Sequence, residues 1–203
     1  MAGKIRPILE KDLWTENPVI RQILGICSAL AVTNFMTNTL VMGLGVTFTT
    51  ALSCFTVSLL RHYTPRSIRM MVQTLIIAAY VIVVDIVLKA YLPDVSRQLG
   101  PYVGLIITNC IIMGRCEAFA QSNPPFLSFL DGMASGLGYT AVLLVIAFVR
   151  ELMGSGSLFG YPVLGDWWPR WTIMVMPPSA FFILAVIIWL VRALGSDKEA
   201  KTS

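Results

Sequence analysis

Four long apolar segments dominate this sequence, and they limit the chain to a protein that crosses a lipid bilayer several times. A helix needs about 20 apolar residues to cross the hydrocarbon core, because each residue adds about 1.5 Å to its length. The segments that reach this length are Phe35–Leu60, Met70–Leu92, Phe129–Val149 and Ile173–Leu194. Only 13% of the residues are charged, compared with about 25% in soluble domains, which excludes a soluble fold.

Two further apolar segments are too short to cross a bilayer alone. As helices, Ile23–Val32 and Tyr102–Met113 would extend about 15 Å and about 18 Å, against a hydrocarbon core of about 30 Å. The order short, long, long occurs twice, so we expect an all-α polytopic membrane protein with six transmembrane segments in two inverted three-helix repeats. Half-helices form segments 1 and 4, and a re-entrant half-helix at Tyr102–Met113 is the alternative. Matching short segments in inverted repeats indicate a site near the membrane midplane.

The basic residues are divided unequally between the two sides that this topology defines. Six crossings put both termini on one side, and the excess of Lys and Arg there predicts that this side is cytoplasmic. The basic residues on that side are Lys4, Arg6, Lys11, Arg21, Arg61, Arg66, Arg69, Arg115, Arg192, Lys198 and Lys201. Those on the other side are Lys89, Arg97, Arg150 and Arg170. We therefore interpret the net charge of +4 as a determinant of topology, and expect lipid rather than nucleic acid as the surrounding partner.

The whole chain, residues 1–203, is interpreted as a single membrane domain. Residues 1–17 form a cytoplasmic N-terminal segment, 18–95 the first repeat, 96–195 the second repeat, and 196–203 a cytoplasmic tail. The N-terminal residues mix both charge signs without an apolar run, so we expect no cleaved signal peptide. The aromatic cluster at residues 167–171 fits an interfacial anchor on the far side.

Cys27 and Cys110 are the residues best suited to carry chemistry. Each lies near the centre of a short segment and has the same position in its repeat, so an inverted repeat would bring the two thiols together at mid-depth. Thiolates are soft ligands for iron–sulfur clusters and other thiophilic metals. A [2Fe–2S] cluster needs four cysteine ligands, and a homologous partner chain is the simplest source of the other two. The alternative is that both cysteines are small buried hydrophobes.

The other two cysteines, Cys54 and Cys116, have no counterparts in the opposite repeat. Cys54 lies deep in a long segment, and Cys116 is expected near the surface. Asp85 is a carboxylate inside a long apolar run, four residues before Lys89, and the two can form a local pair. A role for Asp85 in Na⁺ or H⁺ binding stays open.

Several further polar residues lie at segment ends or in loops. Asp131 is expected to complement the dipole at the start of its helix, and Arg150 with Glu151 to form an interfacial ion pair. His62 is expected in a loop. The sequence contains no nucleophile–base constellation and no nucleotide-binding fingerprint, so we predict no catalytic residue on this chain.

Four stretches carry a resemblance to a known family. They are Leu24–Thr33, Gly104–Arg115, Arg150–Gly156 and Met176–Phe182. The chain resembles the D/E subunit family of the Na⁺-translocating NADH:quinone oxidoreductase, which includes subunits of the related Rnf complex, and its motifs favour the D branch. The resemblance covers nearly the whole chain.

The resemblance implies a fold and a site. Family members have six transmembrane segments in two inverted halves, and the D and E subunits pair in opposite orientations. Each subunit contributes two cysteines to iron bound between them, which here are Cys27 and Cys110. The cofactor is a [2Fe–2S] cluster or a mononuclear iron, and no ligand role falls to Cys54 or Cys116.

The resemblance also implies a function within a six-subunit complex of the bacterial inner membrane. The iron centre relays electrons between a cytoplasmic flavin and iron–sulfur subunit and a periplasm-facing FMN subunit. The complex oxidises NADH, reduces ubiquinone and exports Na⁺; NAD and flavins bind elsewhere, among the A, B, C and F subunits. Two alternatives are an electron-transport subunit of an Rnf complex and a small ion-coupled transporter that uses Asp85.

Overall fold

The computed structural model describes residues 24–33, 35–91, 93–154, 156–158, 161–162, 176 and 178–199. Within them the fold is helical apart from two short strands. The helices are α1 (Ile26–Val32), α2 (Met36–Leu60), α3 (Arg69–Tyr91), α4 (Pro93–Ile107), α5 (Cys110–Arg115), α6 (Pro125–Gly154) and α7 (Pro178–Glu199). A 3₁₀ turn at Arg66–Ile68 precedes α3, and a π-helical turn at Cys116–Ala120 follows α5. The strands β1 (Ser157–Leu158) and β2 (Tyr161–Pro162) pair antiparallel.

Four helical stretches in the described part of the chain are long and apolar enough to cross a membrane. They are Met36–Leu60, Arg69–Tyr91, Tyr102–Ala120 and Pro125–Gly154. Three of them correspond to the long segments predicted from hydropathy. The helical class is therefore confirmed, and the chain has the helices of a multi-pass membrane protein.

One segment prediction was wrong in length. Tyr102–Met113 was expected to be too short to cross, but helical structure continues beyond it to Ala120, which gives the 19-residue stretch Tyr102–Ala120. Of the expected long segment Ile173–Leu194, the structure describes α7, whose apolar part is Pro178–Val191. As predicted, α7 begins at a proline, because proline fits the first turn of a helix, where its missing N–H has no partner to lose.

Helices α2 and α6 pack antiparallel at the centre of the molecule. Near one end of the pair, the backbone N–H of Met36 donates to Glu151 Oε2 at 2.7 Å. Near the other end, Ser58 Oγ donates to the carbonyl of Asn123 at 2.6 Å. Between them, glycines permit backbone contact: a Cβ on Gly136 would lie 2.7 Å from Thr47 Cα.

Helix α3 lies on the outside of this pair. Its buried residues are Gln73, Ile77 and Val81, while most of its other apolar side chains are exposed. Thr56 of α2 and Tyr80 of α3 join the two helices through hydroxyls 2.7 Å apart. An exposed apolar helix of this kind is suited to contact with lipid or with another membrane subunit, because both present apolar groups to it instead of water.

Several sequence predictions lie outside the described residues. They concern the N-terminal segment 1–17, the aromatic cluster at 167–171, the beginning of the segment Ile173–Leu194, and the end of the C-terminal tail.

Candidate metal centre

A glycine in a left-handed conformation starts the short helix that carries Cys27. Gly25 has φ 86°, a conformation that glycine adopts without steric cost. A Cβ at this position would also lie 2.8 Å from the ring of Tyr139. Gly25 therefore lets the chain turn tightly against Tyr139 before α1 begins at Ile26, which makes Cys27 the second residue of that helix.

A break in the helix places Cys110. Helix α4 ends at Ile107, and α5 begins at Cys110 after two residues, Thr108 and Asn109. Asn109 caps α5 by accepting a hydrogen bond from the backbone N–H of Ile111 at 3.2 Å. Each cysteine lies in the first turn of a short helix, and Cys110 is also near the middle of the longer stretch Tyr102–Ala120.

The two cysteines meet across the two halves of the chain. Cys27 Sγ and Cys110 Sγ are 3.9 Å apart although 83 residues separate them in sequence. Two thiolates that share one tetrahedral metal ion, with bonds of about 2.3 Å, stand about 3.8 Å apart. Both side chains are half-buried, so ligands from another chain can reach them. Spacing, chemistry and access all fit a shared metal centre.

A buried tyrosine connects the two short helices beside these thiols. The hydroxyl of Tyr139, on α6, is hydrogen-bonded to the hydroxyl of Ser28, the residue after Cys27. Ser28 Oγ in turn donates to the carbonyl of Gly25 at 3.0 Å. The Tyr139 hydroxyl also lies close to Asn109 and within electrostatic range of both Cys27 and Cys110.

Sequence reasoning missed Tyr139, Ser28 and Asn109 as parts of this site. One signal could have found Tyr139: a phenol in the middle of a spanning segment needs a hydrogen-bond partner. The identity of that partner could not be obtained in this way, because Ser28 lies 111 residues away in sequence.

Comparison with known proteins provides a family for this chain. The profile of the Rnf-Nqr subunit family, described as a membrane protein, matches residues 5–188. The chain belongs to the Rnf-Nqr family. The resemblance stated from its motifs is thereby confirmed at the level of the family.

Two relatives show how far the similarity extends. Each is named as the D subunit of a Na(+)-translocating NADH-quinone reductase. The chain is 50% identical over 206 residues to the protein of Shewanella loihica, with 98% of both chains covered. It is 52% identical over 204 residues to the protein of Pseudomonas aeruginosa, with 98% of this chain and 91% of the relative covered.

A second thiol pair lies elsewhere in this Rnf-Nqr chain. Cys54 Sγ on α2 and Cys116 Sγ in the π-helical turn are 3.7 Å apart, and both side chains are fully buried. Cys116 was expected near the surface, which was wrong, because the π-helical turn packs it against α2. Burial distinguishes this pair from Cys27 and Cys110: a ligand from another chain cannot reach it.

The expected role of Asp131 was also wrong. Asp131 is fully buried in α6, six residues after the helix begins at Pro125. It accepts hydrogen bonds from both Nε and Nη2 of Arg115, the last residue of α5; the Nε bond is 3.0 Å long. This pair fixes the C-terminal end of α5, the helix that begins with Cys110.

Arg150 and Glu151 are buried within the protein. Arg150 Nη1 donates to the hydroxyl of Thr33 at 2.6 Å, just after the end of α1. Glu151 accepts from the backbone N–H of Met36 at the start of α2. The C-terminal end of α6 therefore holds the connection between α1 and α2.

The remaining predicted polar residues lie on exposed surfaces. Lys89 Nζ pairs with Asp85 Oδ2 at 2.6 Å, which confirms the local pair. Glu117 accepts from Arg69 and from Gln73, each at 2.9 Å. His62 lies in the loop after α2 and accepts a hydrogen bond from Arg61, as expected.

The centre can supply two thiolates and needs further ligands from elsewhere. Within the described residues, no group of three His, Cys, Asp or Glu side chains is close enough to hold a metal ion. A four-ligand iron site at Cys27 and Cys110 therefore needs ligands beyond the described side chains, such as non-protein ligands or thiolates of a second protein chain. The site is incomplete because two cysteines supply only two of the four thiolates that iron needs.

Proposed function

We propose that this chain is the D-type membrane subunit of a Na⁺-translocating NADH-quinone reductase. Membership of the Rnf-Nqr family and identity of about 50% to proteins named as D subunits, over nearly their full length, support this assignment. The chain is then part of an enzyme, a translocase, without an active site of its own. The names of these relatives favour the quinone reductase over the Rnf complex.

Within this complex, we propose that Cys27 and Cys110 are ligands of an iron centre shared with the homologous E-type subunit. The carrying observation is the 3.9 Å separation of two half-buried thiols from opposite halves of the chain. A [2Fe–2S] cluster with two ligands from each subunit satisfies the four-cysteine requirement, and a mononuclear iron needs the same four thiolates. Bound there, iron supplies a one-electron relay between the cytoplasmic and periplasmic sides. Electron flow through it is coupled to Na⁺ export.

The arrangement of the helices supports two inverted repeats of three segments. Gly43 and Thr47 on α2 face Thr140 and Gly136 on α6, so each helix contributes a glycine to accommodate the threonine of the other. Such reciprocal contact between antiparallel helices is what a two-fold axis in the membrane plane produces. The same axis would relate Cys27 to Cys110 and place the thiols near mid-depth.

With six segments in this arrangement, the protein lies in the bacterial inner membrane and both of its termini are on the cytoplasmic side. The E-type partner then packs in the opposite orientation, so that its own two cysteines face Cys27 and Cys110. The A, B, C and F subunits complete the assembly. Access to the thiols supports this geometry, because a partner's ligands have to reach them.

Iron analysis of the purified complex with single-cysteine variants tests the proposal. Cys27→Ala and Cys110→Ala should each lower the iron content of the complex, abolish the part of the low-temperature electron paramagnetic resonance signal that comes from this centre, and reduce NADH-driven quinone reduction, while the signal of the cytoplasmic iron–sulfur subunit remains. Cys54→Ala and Cys116→Ala are matched controls, since they remove a thiol from a pair of nearly equal spacing that no second chain can reach. Retention of the signal in both Cys27→Ala and Cys110→Ala would refute the assignment.

A further inference from the structure

Gly25 is the point at which α1, α5 and α6 converge beside the thiol pair. A Cβ built on Gly25 would lie 2.8 Å from Cε2 of Tyr139 on α6 and 3.0 Å from Cδ1 of Ile111 on α5. A side-chain carbon does not fit so close to other heavy atoms unless one of them is displaced. The two neighbouring helices therefore reach the start of α1 at a place where any side chain would keep them apart.

The two side chains that face Gly25 have little freedom to move away from it. Tyr139 and Ile111 are both fully buried, and buried side chains are close-packed on all sides. The Tyr139 hydroxyl is also hydrogen-bonded to Ser28, which fixes the ring from its far end. A side chain at position 25 would therefore displace the start of α1 rather than its neighbours.

The backbone of Gly25 belongs to the turn that carries Cys27. The Gly25 carbonyl accepts from the backbone N–H of Ala29 at 3.2 Å and from Ser28 Oγ at 3.0 Å. Helix α1 has only seven residues, so Gly25 and Cys27 move together. A displacement of Gly25 is thus passed on to the Cys27 thiol.

The contact on the other side is equally close to the second thiol. Ile111 directly follows Cys110 in the first turn of α5, and its backbone N–H donates to the Asn109 cap at 3.2 Å. The contact between Gly25 and Ile111 therefore joins the two turns that carry the cysteines.

We propose that Gly25, through its contact with Ile111, is a positioning residue that sets the separation between the thiols of Cys27 and Cys110. This inference rests on the proposed iron centre. The two sulfurs are 3.9 Å apart, close to the value of about 3.8 Å for two thiolates on one metal ion. A larger residue at position 25 would separate the two turns and spread the sulfurs beyond the reach of a shared ion.

Iron analysis and low-temperature electron paramagnetic resonance of the intact complex carrying Gly25→Ala test the inference. We expect loss of iron from this centre and shifted g-values in the iron that is retained, because the thiolates no longer have their native spacing. A purely structural role would lower the yield of complex without changing the signal of the complex that assembles. Gly45→Ala is the matched control, because the atom nearest to its added Cβ is Val84 Cγ1 at an ordinary contact distance of 3.5 Å. An assembled Gly25→Ala complex with unchanged iron content and signal would overturn the inference.

Gly25→Asn separates the effect of space from that of backbone conformation. Gly25 has φ 86°, and asparagine adopts the left-handed region more readily than most residues that have a side chain. It nevertheless carries a Cβ, so we expect the same loss of iron as in Gly25→Ala. Unchanged iron and signal in Gly25→Asn would show that conformation alone requires glycine, and would overturn the role of the contact.

Ile111→Val changes the same contact from the side of α5 and decides the question should the Gly25 variants fail to assemble. It removes only the Cδ1 methyl group that faces Gly25, so the complex should keep its iron but show a shifted signal. Ile112→Val is the control, because Ile112 is equally buried but is not among the groups nearest to Gly25. A signal in Ile111→Val identical to that of the unmodified complex would overturn the inference. Absence of any Cys27- and Cys110-dependent iron in the unmodified complex would instead overturn the proposed function itself.

Discussion

The hydroxyl oxygens of Thr47 and Thr140 lie 3.3 Å apart at the closest approach of α2 and α6. Each threonine also donates to the carbonyl four residues earlier, Gly43 for Thr47 and Gly136 for Thr140, at 2.8 Å in both cases. Each of these glycines faces the threonine of the opposite helix. The contact is thus symmetric in its chemistry, and it holds the two halves of the chain together without a large side chain.

Gly136→Ala should destabilise this contact. The added Cβ would lie 2.7 Å from the backbone Cα of Thr47, so the helices must separate. Overpacking of this kind costs about 1–3 kcal/mol, which should appear as a lower melting temperature of the detergent-solubilised complex. Gly104→Ala is the control, because no atom lies within 4 Å of the added Cβ. Equal melting temperatures for the two variants would contradict close packing at Gly136.

Asp131→Ala should be among the more damaging single substitutions. It leaves the Arg115 guanidinium buried beside a cavity, and removing one partner of a buried ion pair costs about 3–5 kcal/mol. Expression level and melting temperature measure the loss. The double variant Arg115→Met with Asp131→Leu should recover much of it, because neither charge of this pair is then left in the interior. Failure of the double variant to exceed Asp131→Ala would indicate a role for the pair beyond charge compensation.

Glu117→Gln removes one partner of an exposed ion pair and can be compared with the loss of the buried Arg115–Asp131 pair. The Glu117–Arg69 pair is partly exposed, with the Glu117 side chain 47% accessible. Exposed ion pairs contribute about 0–1 kcal/mol, so the variant should melt within a few degrees of the unmodified complex. A loss as large as that of Asp131→Ala would contradict the assignment of Glu117 to the surface.

Tyr139→Phe should weaken the junction of α1 and α5. The variant removes the hydroxyl that is hydrogen-bonded to Ser28 but keeps the ring that packs against Gly25. Loss of one buried hydrogen bond costs about 1–2 kcal/mol, and we expect a lower melting temperature together with reduced retention of iron. Tyr63→Phe is the control, since Tyr63 is exposed in the loop after α2. Full retention of stability and iron in Tyr139→Phe would contradict a role of the Tyr139 hydroxyl in holding the two short helices together.

Asp85→Asn distinguishes a structural pair from an ion-coupling acid. Asp85 pairs with Lys89 near the end of α3, where Lys89 is largely exposed. We therefore expect NADH-driven Na⁺ uptake into proteoliposomes containing the complex to be unchanged. A marked loss of Na⁺ transport with normal quinone reduction would instead support Asp85 as part of an ion path.

Hydropathy was sufficient to predict the long helices, because burial of backbone polar groups in lipid requires helices of a fixed minimum length. It was less reliable at Tyr102–Ala120, where the break at Thr108 and Asn109 depends on a cap that a smooth hydropathy profile does not register. The local pair Asp85–Lys89 was predictable for a similar reason: helical geometry alone brings residues four apart together.

The partners of the buried polar residues were not predictable in the same way. Cys116 with Cys54, Asp131 with Arg115, and Tyr139 with Ser28 all join different helices or turns. Their pairing depends on how far one helix is displaced along another. That displacement is set by close contacts such as Gly136 against Thr47, which a single helix does not specify.

The sequence by itself determined that this chain is a helical membrane protein, and it singled out Cys27 and Cys110, because apolar length and repeated position are properties of each segment. Only the tertiary structure decided that each cysteine lies in the first turn of a short helix and that the two thiols stand 3.9 Å apart. The physical reason is that these relations arise between helices, where packing at glycines and buried hydrogen bonds fixes the register.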